Sequence, residues 1–275
     1  MSMVPSADRA ARFAALHSRS DTFVIANAWD AGSARMLAAL GVPALATSSG
    51  AAAATLGRRD GRISRDESLA HAAVIVGATN LPVSADLEQG FGDSPDAVAE
   101  TIRQAAATGL AGGSIEDATG DKDRPIYDQA LAVDRIAAAA AAARAAPGGF
   151  VLTARCENFL RGRPDLDDTV ARLQAYARAG ADVVFAPGLP DLAAVREVCA
   201  AVPKPVNFMA GIKGRSFPVA ALAEAGVRRV SLATSLYRAA LTGALAAARE
   251  VLERGTFGYV DATMSTPDLN QYLQS

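Results

Sequence analysis

Cysteine and histidine are scarce in this chain of 275 residues. It contains two cysteines, Cys156 and Cys199, and two histidines, His17 and His71. Two cysteines cannot build the disulfide framework of a small secreted protein, and so few thiols and imidazoles offer little to a zinc ion. The scarcity excludes a disulfide-rich fold, favours a reducing compartment and makes oxygen atoms the expected ligands of any metal ion.

Strong net charge and long apolar segments are also lacking. The formal net charge is -2, from 27 basic and 29 acidic residues, which gives no electrostatic basis for binding nucleic acid or an anionic membrane surface. The longest apolar run, 136–143, is too short to span a bilayer, and the first 17 residues contain no apolar core of signal-peptide length. We therefore expect a cytoplasmic protein with no nucleic-acid or membrane partner.

Apolar segments typical of strands alternate with Ala-rich helical segments along the chain. Eight strands are predicted, at 23–29, 44–49, 82–88, 112–118, 150–157, 182–187, 205–211 and 229–235. Helices are predicted between and after them, at 30–40, 66–78, 94–108, 127–145, 165–178, 191–201, 218–225 and 235–253. Eight strand–helix units without a linker predict one (β/α)8 barrel domain over 1–275, with a capping helix at 6–17 and an extension from about 256 to 275. The alternative is a doubly wound open sheet, although no Gly-rich nucleotide fingerprint follows the first strand.

Acidic residues concentrate at the carboxyl ends of the predicted strands, where a barrel places its site. The third strand ends in Asp86 and Glu88, which face the same way because strand side chains alternate. The next two strands end near Glu116 and Arg155. Converging acids need a proton or a cation, and three acids without a histidine or thiolate suit Mg²⁺. The alternative is a purely structural cluster in which Arg155 only neutralises the acids.

Polar residues at the other strand ends suggest an anion-binding wall. Ser49, Gly50 and Ala51 are predicted to form a tight turn whose backbone N–H groups could hold an anionic oxygen. The planar guanidinium of Arg155 suits a carboxylate or a phosphonate. Cys156 has the opposite parity to Arg155 and is predicted to face the surrounding helices as an inert thiol.

The remaining cysteine and the histidines lie on predicted helices. Cys199 is expected to contribute only to packing. His17 and His71 are expected at the surface or at an interface.

The segments ATSSGA, SADLEQGFG, SIEDA and TARCENF resemble the isocitrate lyase/phosphoenolpyruvate mutase superfamily. The resemblance covers roughly 23–257 and implies a TIM-type barrel, a Mg²⁺ site that also accepts Mn²⁺, and small 2-oxo or 2-hydroxy carboxylate substrates. It implies reactions that make or break a C–C or P–C bond beside a carboxylate through an enolate. It also implies a homotetramer, a dimer of dimers, in which neighbours exchange the last barrel helix.

The resemblance also implies roles for the acids. Asp86 matches the direct metal ligand, and Glu88, Glu116 and Asp60 match acids that hold the metal through waters. Asp60 lies in the segment GRRDG after the second strand. With Arg155, two of these acids, Glu116 and Asp60, are the predicted catalytic residues.

The predicted substrate site combines matched positions with strand ends. Ser49, Gly50 and Ala51 match a turn that binds the substrate carboxylate or phosphonate, and Arg155 and Asn207 match substrate-side positions. The full predicted set is Trp29, Thr47, Ser49, Gly50, Ala51, Asp86, Arg155 and Asn207.

Several positions depart from the superfamily pattern. The loop after the fourth strand, 118–124, contains no Cys and no His, whereas the lyases carry a catalytic Cys there. The Lys and Asn-Ser pattern of the phosphonomutases is also absent. Thr47 replaces an aromatic residue, and Pro187 stands where lyases place a Glu. The chain therefore resembles a divergent, mutase-like member, with three hypotheses: a Mg²⁺-dependent lyase, a phosphonomutase-type enzyme, or a non-catalytic 2-oxo acid binding protein.

Overall fold

Eight parallel strands close into a barrel in the computed structural model, which describes residues 6–273. Their bounds are β1 Phe23–Asn27, β2 Leu45–Ala46, β3 Val83–Asp86, β4 Gly112–Glu116, β5 Val151–Arg155, β6 Val183–Phe185, β7 Val206–Met209 and β8 Arg229–Ser231. The strands follow one another in chain order, and β8 pairs with β1 to close the barrel. The predicted (β/α)8 barrel is confirmed. Each strand is shorter than predicted and ends at least two residues earlier at its carboxyl end.

Eleven α-helices surround or flank the barrel in the described part of the chain. Their bounds are α1 Ser6–Ser18, α2 Ala31–Ala39, α3 Ser49–Thr55, α4 Arg65–Ala78, α5 Pro95–Ala107, α6 Gln129–Ala145, α7 Leu166–Ala179, α8 Leu192–Ala201, α9 Val219–Glu224, α10 Ser235–Arg254 and α11 Thr266–Leu273. Side-chain caps explain several starts: Ser64, for example, accepts from the N–H of Glu67 while Glu67 accepts from the N–H of Ser64. None of these helices is long and apolar enough to cross a membrane.

Helix α3 was not predicted, and the predicted tight turn at 49–51 is wrong. Ser49 begins a helix that runs to Thr55, with Ser48 as its N-cap residue. Four consecutive alanines, 51–54, follow the turn-like Ser-Gly pair, and alanine has the highest helix propensity. The local composition therefore continues the backbone as a helix instead of a turn.

Helix α1 covers the amino end of the barrel. Phe13 and Leu16 pack with Phe23 and Val151 in one buried cluster. The aromatic ring of Phe13 lies so close to β4 that a Cβ on Gly112 would stand 2.9 Å from Cε1 of that ring. The absence of a side chain at Gly112 therefore allows the helix to seat against the strands.

His17 is buried on the side of α1 that faces the barrel, so its predicted position at the surface or at an interface is wrong. Its ring lies between Phe13 and Phe23, with both aromatic contacts edge-on. Nδ1 lies 2.8 Å from the carbonyl oxygen of Phe13, and Nε2 lies 3.3 Å from Nη1 of Arg229. A guanidinium can only donate, so Nε2 accepts and Nδ1 carries the proton. Burial, together with the charge of Arg229, lowers the pKa of His17 to about 3.

Neutral His17 makes stability depend on pH. Below about pH 6.5 the unfolded chain binds a proton at His17 that the native state rejects until about pH 3. As the pH falls through this window, His17 is expected to lower the free energy of unfolding by up to about 1.4 kcal/mol per pH unit. The variant His17→Gln is expected to lack this component. Urea unfolding of both proteins between pH 4 and pH 8 measures it, and parallel stability curves would contradict the assignment.

The two cysteines lie where the sequence predicts. Cys156 is fully buried in the main core, and burial raises the pKa of its thiol well above the usual value. Cys199, on α8, is half-buried and packs against the same core. Neither position exposes a reactive thiolate, so both cysteines contribute packing.

Candidate active site

A cavity of about 310 Å³ opens at the carboxyl ends of the strands. Five predicted site residues besides Asp60 line it: Thr47, Ser49, Asp86, Arg155 and Asn207. Asp60 also borders it from the loop after α3. The closed barrel brings these residues together although they are spread over more than 150 positions of the sequence, as expected for a site at this face.

Asp86 ends β3 and anchors one wall of the cavity. Its Oδ2 accepts hydrogen bonds from the hydroxyl of Ser49 at 3.0 Å and from the Ser49 N–H at 3.3 Å. Oδ1 accepts from the N–H of Glu88 at 3.3 Å. The hydroxyl of Thr47 accepts from the N–H of Asp86 at 3.0 Å, so the residue that replaces the expected aromatic fixes the backbone of β3. These contacts hold the carboxylate in one orientation toward the cavity.

Arg155 pairs with three carboxylates. Nη1 lies 3.7 Å from Oδ2 of Asp86 and 3.5 Å from Oε2 of Glu116, and Nε donates to Oε1 of Glu157. Burial lowers the pKa of Arg155, but the three acids outweigh it and leave the pKa raised. The guanidinium is therefore permanently charged and already neutralises acids, which is the alternative role considered for it from the sequence. An anionic ligand at Arg155 competes with these carboxylates.

Glu157 and Arg161 belong to the same cluster and were not among the predicted site residues. Glu157 follows β5 and is 0 % exposed, and its Oε2 lies 3.4 Å from Nε of Arg161. Nη2 of Arg161 lies 3.3 Å from Oε1 of Glu116. Burial raises the pKa of Glu116, although Arg155 opposes the shift. The only sequence signal was the position of Glu157 two residues beyond Arg155, on the same side of the strand.

Glu88 combines an unusual backbone conformation with a buried carboxylate oxygen that has no hydrogen-bond partner in the described chain. Its φ of 49° lies in the left-handed region, which non-glycine residues rarely adopt. Its Oε1 is buried and has no hydrogen-bond partner among residues 6–273. Burial and the neighbouring charges of Asp86 and Asp60 raise the pKa of Glu88 to about 7. Arg155 and Arg161 offset this rise in pKa only in part, and no donor in the described chain reaches Oε1.

The acids fit a divalent metal ion that binds mainly through waters. No three Asp, Glu, His or Cys side chains in the described chain lie close enough to ligate one ion directly. Mg²⁺ keeps several waters and needs only one or two direct carboxylates. The unpartnered Oε1 of Glu88 and the exclusively oxygen donors therefore agree with Asp86 as the direct ligand and with Glu88, Glu116 and Asp60 as outer partners, which stays a prediction.

The remaining predicted substrate residues differ in their positions. Ser49 and Gly50 lie in the first turn of α3, and a Cβ on Gly50 would stand 3.3 Å from Oδ2 of Asp60, so only glycine leaves this approach open. Ala51 is buried behind them. Trp29 lies outside the cavity lining, and its ring packs edge-on against Tyr237 of α10, 5.6 Å between centroids. Asn207 lines the cavity but uses both ends of its amide, toward Ser231 and Arg229.

A family model described as phosphoenolpyruvate phosphomutase matches residues 13–252 of this chain. The chain belongs to the isocitrate lyase/phosphoenolpyruvate mutase superfamily. It is 32% identical to a 2-methylisocitrate lyase of Shewanella oneidensis over 234 residues, which are 82% of this chain and 78% of the relative. A solved structure from Burkholderia cenocepacia J2315, assigned provisionally as a lyase or mutase, is 52% identical with a TM-score of 0.96 and covers 98% of this chain and 97% of its own.

The superfamily includes both lyases and phosphomutases. A crystal structure of 2,3-dimethylmalate lyase is 28% identical with a TM-score of 0.85 and covers 98% of this chain and 95% of its own. Together with the family model, it supports an enzyme of this superfamily without selecting the substrate.

The loop after β4, whose sequence departs from the superfamily pattern, is held by contacts within itself. Ala118 and Ile126 form an antiparallel bridge, and the hydroxyl of Thr119 donates to the carbonyl of Arg124. The loop thus closes on itself, and none of the residues from 118 to 126 lines the cavity. The loop therefore contributes no side chain to the cavity lining.

Proposed function

We propose that this protein is a cytoplasmic, Mg²⁺-dependent lyase that acts on a small 2-oxo or 2-hydroxy carboxylate. The reaction would cleave a C–C bond or remove a carboxylate through an enolate. The observation that carries the proposal is the excess of carboxylates over cations in the cluster. Within residues 6–273, two cations, Arg155 and Arg161, face four acids: Asp86, Glu88, Glu116 and Glu157. An additional cation balances this excess without protonating the acids.

We assign separate roles to the residues in and around the cavity. Asp86, with Glu88 and Asp60 beside it, holds the cation, and Ser49 keeps Asp86 in place. A bound Mg²⁺ would supply Lewis-acid stabilisation of the negative charge that develops on the 2-oxo oxygen. Arg155 binds the substrate carboxylate through its planar fork. The carboxyl group of Glu116, whose pKa burial raises, is suited to hold and return a proton near the reacting carbon, and Asp60 is the second candidate.

The similarities to named relatives support the lyase first and a phosphonomutase second. The 2-methylisocitrate lyase and 2,3-dimethylmalate lyase similarities favour C–C cleavage. The phosphoenolpyruvate phosphomutase model favours P–C chemistry on a phosphonate. Extra basic residues near the anion wall would favour the phosphonate, but Arg58 in this region pairs with Glu67 at 2.6 Å. We therefore place the lyase first, the phosphonomutase second and a non-catalytic 2-oxo acid binding protein third.

A substrate panel separates the three candidates. The purified protein is incubated with Mg²⁺ and with oxaloacetate, a 4-hydroxy-2-oxo acid, 2-methylisocitrate or phosphonopyruvate, and products are followed by NMR. Turnover of a carboxylate that stops with EDTA supports the lyase. Turnover of phosphonopyruvate alone supports the phosphonomutase. Saturable binding of a 2-oxo acid without turnover of any substrate in the panel would reject both enzyme candidates.

We also propose a homotetramer in which α10 is exchanged between neighbours. None of the 20 residues of α10 is buried within the described chain. Leu241, Leu245 and Leu252 lie on one face of this helix and are exposed, Leu252 to 84 %. Helix α11 instead packs near α2, where Nη1 of Arg35 donates to the carbonyl of Leu273 at 2.9 Å. An apolar helix face with no cover in its own subunit is typical of an interface.

The double variant Leu241→Glu/Leu245→Glu is expected to dissociate the assembly. The wild type should have a mass of four times 28.1 kDa, about 112 kDa, by light scattering after size exclusion. Charges on the apolar face prevent its burial, so the variant should elute as a smaller species. Glu253→Gln, at an exposed residue of the same helix, serves as the control. A monomeric wild type would refute the proposal.

A further inference from the structure

Small polar residues on β3 and β4 line the barrel interior below the acid that ends each strand. Ser84 precedes Asp86 by two residues on β3, and Ser114 precedes Glu116 by two residues on β4. Residues two apart on a strand face the same side, so Ser84 lies below Asp86 and Ser114 lies below Glu116, with Ser114 in register with Asp86. Barrel interiors are usually filled by large branched apolar side chains. Small polar residues here leave the cavity open, and it extends down to Arg229.

Arg229 is a buried cation without an acidic partner. It begins β8 and is 4 % exposed. Its Nε donates to Oδ1 of Asn207 at 2.7 Å, Nη2 donates to the hydroxyl of Thr153 at 3.0 Å, and Nη1 donates to His17. All three partners are neutral, and no carboxylate in residues 6–273 pairs with the guanidinium. Burial alone lowers the pKa of Arg229 to about 9, so it remains charged at neutral pH.

Arg229 and the nearby serines have hydrogen-bond donors that no described residue uses. A guanidinium has five N–H groups, and three are used by the protein, which leaves two. The hydroxyl groups of Ser84 and Ser114 make no hydrogen bond to any other described residue, and both border the same cavity. A buried charge that lacks a counter-ion is costly, and the two hydroxyl groups offer further donors to a ligand in the cavity. The chamber is therefore complementary to an anion with several acceptor oxygens.

We propose that Arg229, Ser84 and Ser114 form a deep subsite for the second carboxylate of a dicarboxylate substrate. The inference rests on the proposed function, in which Arg155 and the cation hold the first carboxylate. Two residues along a strand span about 6–7 Å, a distance that a short dicarboxylate bridges. The cavity of about 310 Å³ holds a ligand of this size. The subsite selects dicarboxylates over monocarboxylates of the same backbone.

The variant Arg229→Gln tests the subsite with a matched pair of ligands. Malate and lactate both carry a 2-hydroxy acid, and malate has one more carboxylate. Calorimetric titrations with Mg²⁺, each ligand shown by NMR to remain intact, are expected to show malate binding weakened about 100-fold in the variant. Lactate affinity should change less than about threefold. Arg196→Gln, at an exposed position of α8, should leave both affinities unchanged.

A second variant protects the test against a folding defect, since Arg229 also contacts His17 and Asn207. Ser84→Ala/Ser114→Ala keeps every protein contact of Arg229, and it should weaken malate about tenfold and lactate little. The subsite is refuted if the variants lose affinity equally for malate and lactate, or for neither. It is also refuted if a crystal structure of the malate complex shows only water at Arg229. The protein could prefer malate in a way that depends on Arg229 and yet turn over no substrate of the panel. That result would support the subsite and reject the lyase.

Discussion

Replacing Asp86 by Asn is expected to lower kcat/KM of the Mg²⁺-dependent reaction by at least about 10³-fold. The substitution keeps the shape of the side chain but removes the charge that a divalent cation needs, and Lewis-acid stabilisation contributes several kcal/mol to such transition states. Calorimetry with Mg²⁺ should show loss of binding, and the rate should no longer respond to EDTA. The assay uses whichever substrate the panel identifies.

The fold of the Asp86→Asn protein should remain intact. The amide oxygen can still accept from Ser49, and removal of one negative charge relieves repulsion with Glu88 and Glu116. The thermal midpoint is therefore expected to stay the same or rise. Asp134→Asn, at an exposed position of α6, should behave like the wild type in every assay. Unchanged Mg²⁺ affinity in Asp86→Asn would refute the assignment of the direct ligand.

Strand alternation and barrel geometry account for most of what the sequence predicts. The parity argument separates Arg155 from the buried thiol of Cys156. It does not extend to Glu88, which lies near Asp86 but beyond the end of β3, with a left-handed backbone. The rule that barrel sites lie at the carboxyl ends of strands is sufficient to collect Asp86, Arg155 and Ser49 around one cavity. These are local or topological rules, so a single sequence carries them.

The residues that the sequence did not reveal depend on long-range packing. Arg229 appears as an ordinary basic residue at the start of a strand, and only the closed barrel shows that it points inward among neutral partners. His17 on an amphipathic helix has no signal that distinguishes a buried ring from an exposed one. Glu157 gains its role only because Arg155 and Arg161 both turn toward it. Side-chain direction beyond the backbone period is set by neighbours distant in sequence.

Another buried arginine, Arg135, supports the segment that follows Asp86 and Glu88. Arg135 of α6 is 1 % exposed, and its Nη1 donates to the carbonyl oxygens of Gly92 and Asp93, each at 2.6 Å. Nη2 donates to the carbonyl of Gln89, and the guanidinium stacks over the ring of Tyr127 at 4.1 Å from its centroid. Three carbonyls of the loop at 89–93 therefore depend on one side chain of a neighbouring helix.

The variant Arg135→Met is expected to lower the free energy of unfolding by about 3 kcal/mol. Methionine fills similar space but leaves three carbonyls without a donor, some of which solvent can reach, and charged hydrogen bonds of this kind contribute about 1.5–3 kcal/mol each. Urea unfolding measures the change. Arg103→Met, which removes an exposed pair with Glu100, should cost less than about 1 kcal/mol.

The same variant tests whether this loop positions the metal-binding acids. Glu88, with its left-handed backbone, immediately precedes the loop, so a loosened loop relaxes the constraint that keeps its carboxylate near Asp86. Mg²⁺ affinity should therefore fall about fivefold in Arg135→Met at temperatures where the protein is still folded. Loss of stability with wild-type Mg²⁺ affinity would mean that Arg135 supports only the fold. Loss of both links the packing of α6 to the charge balance at the mouth of the barrel.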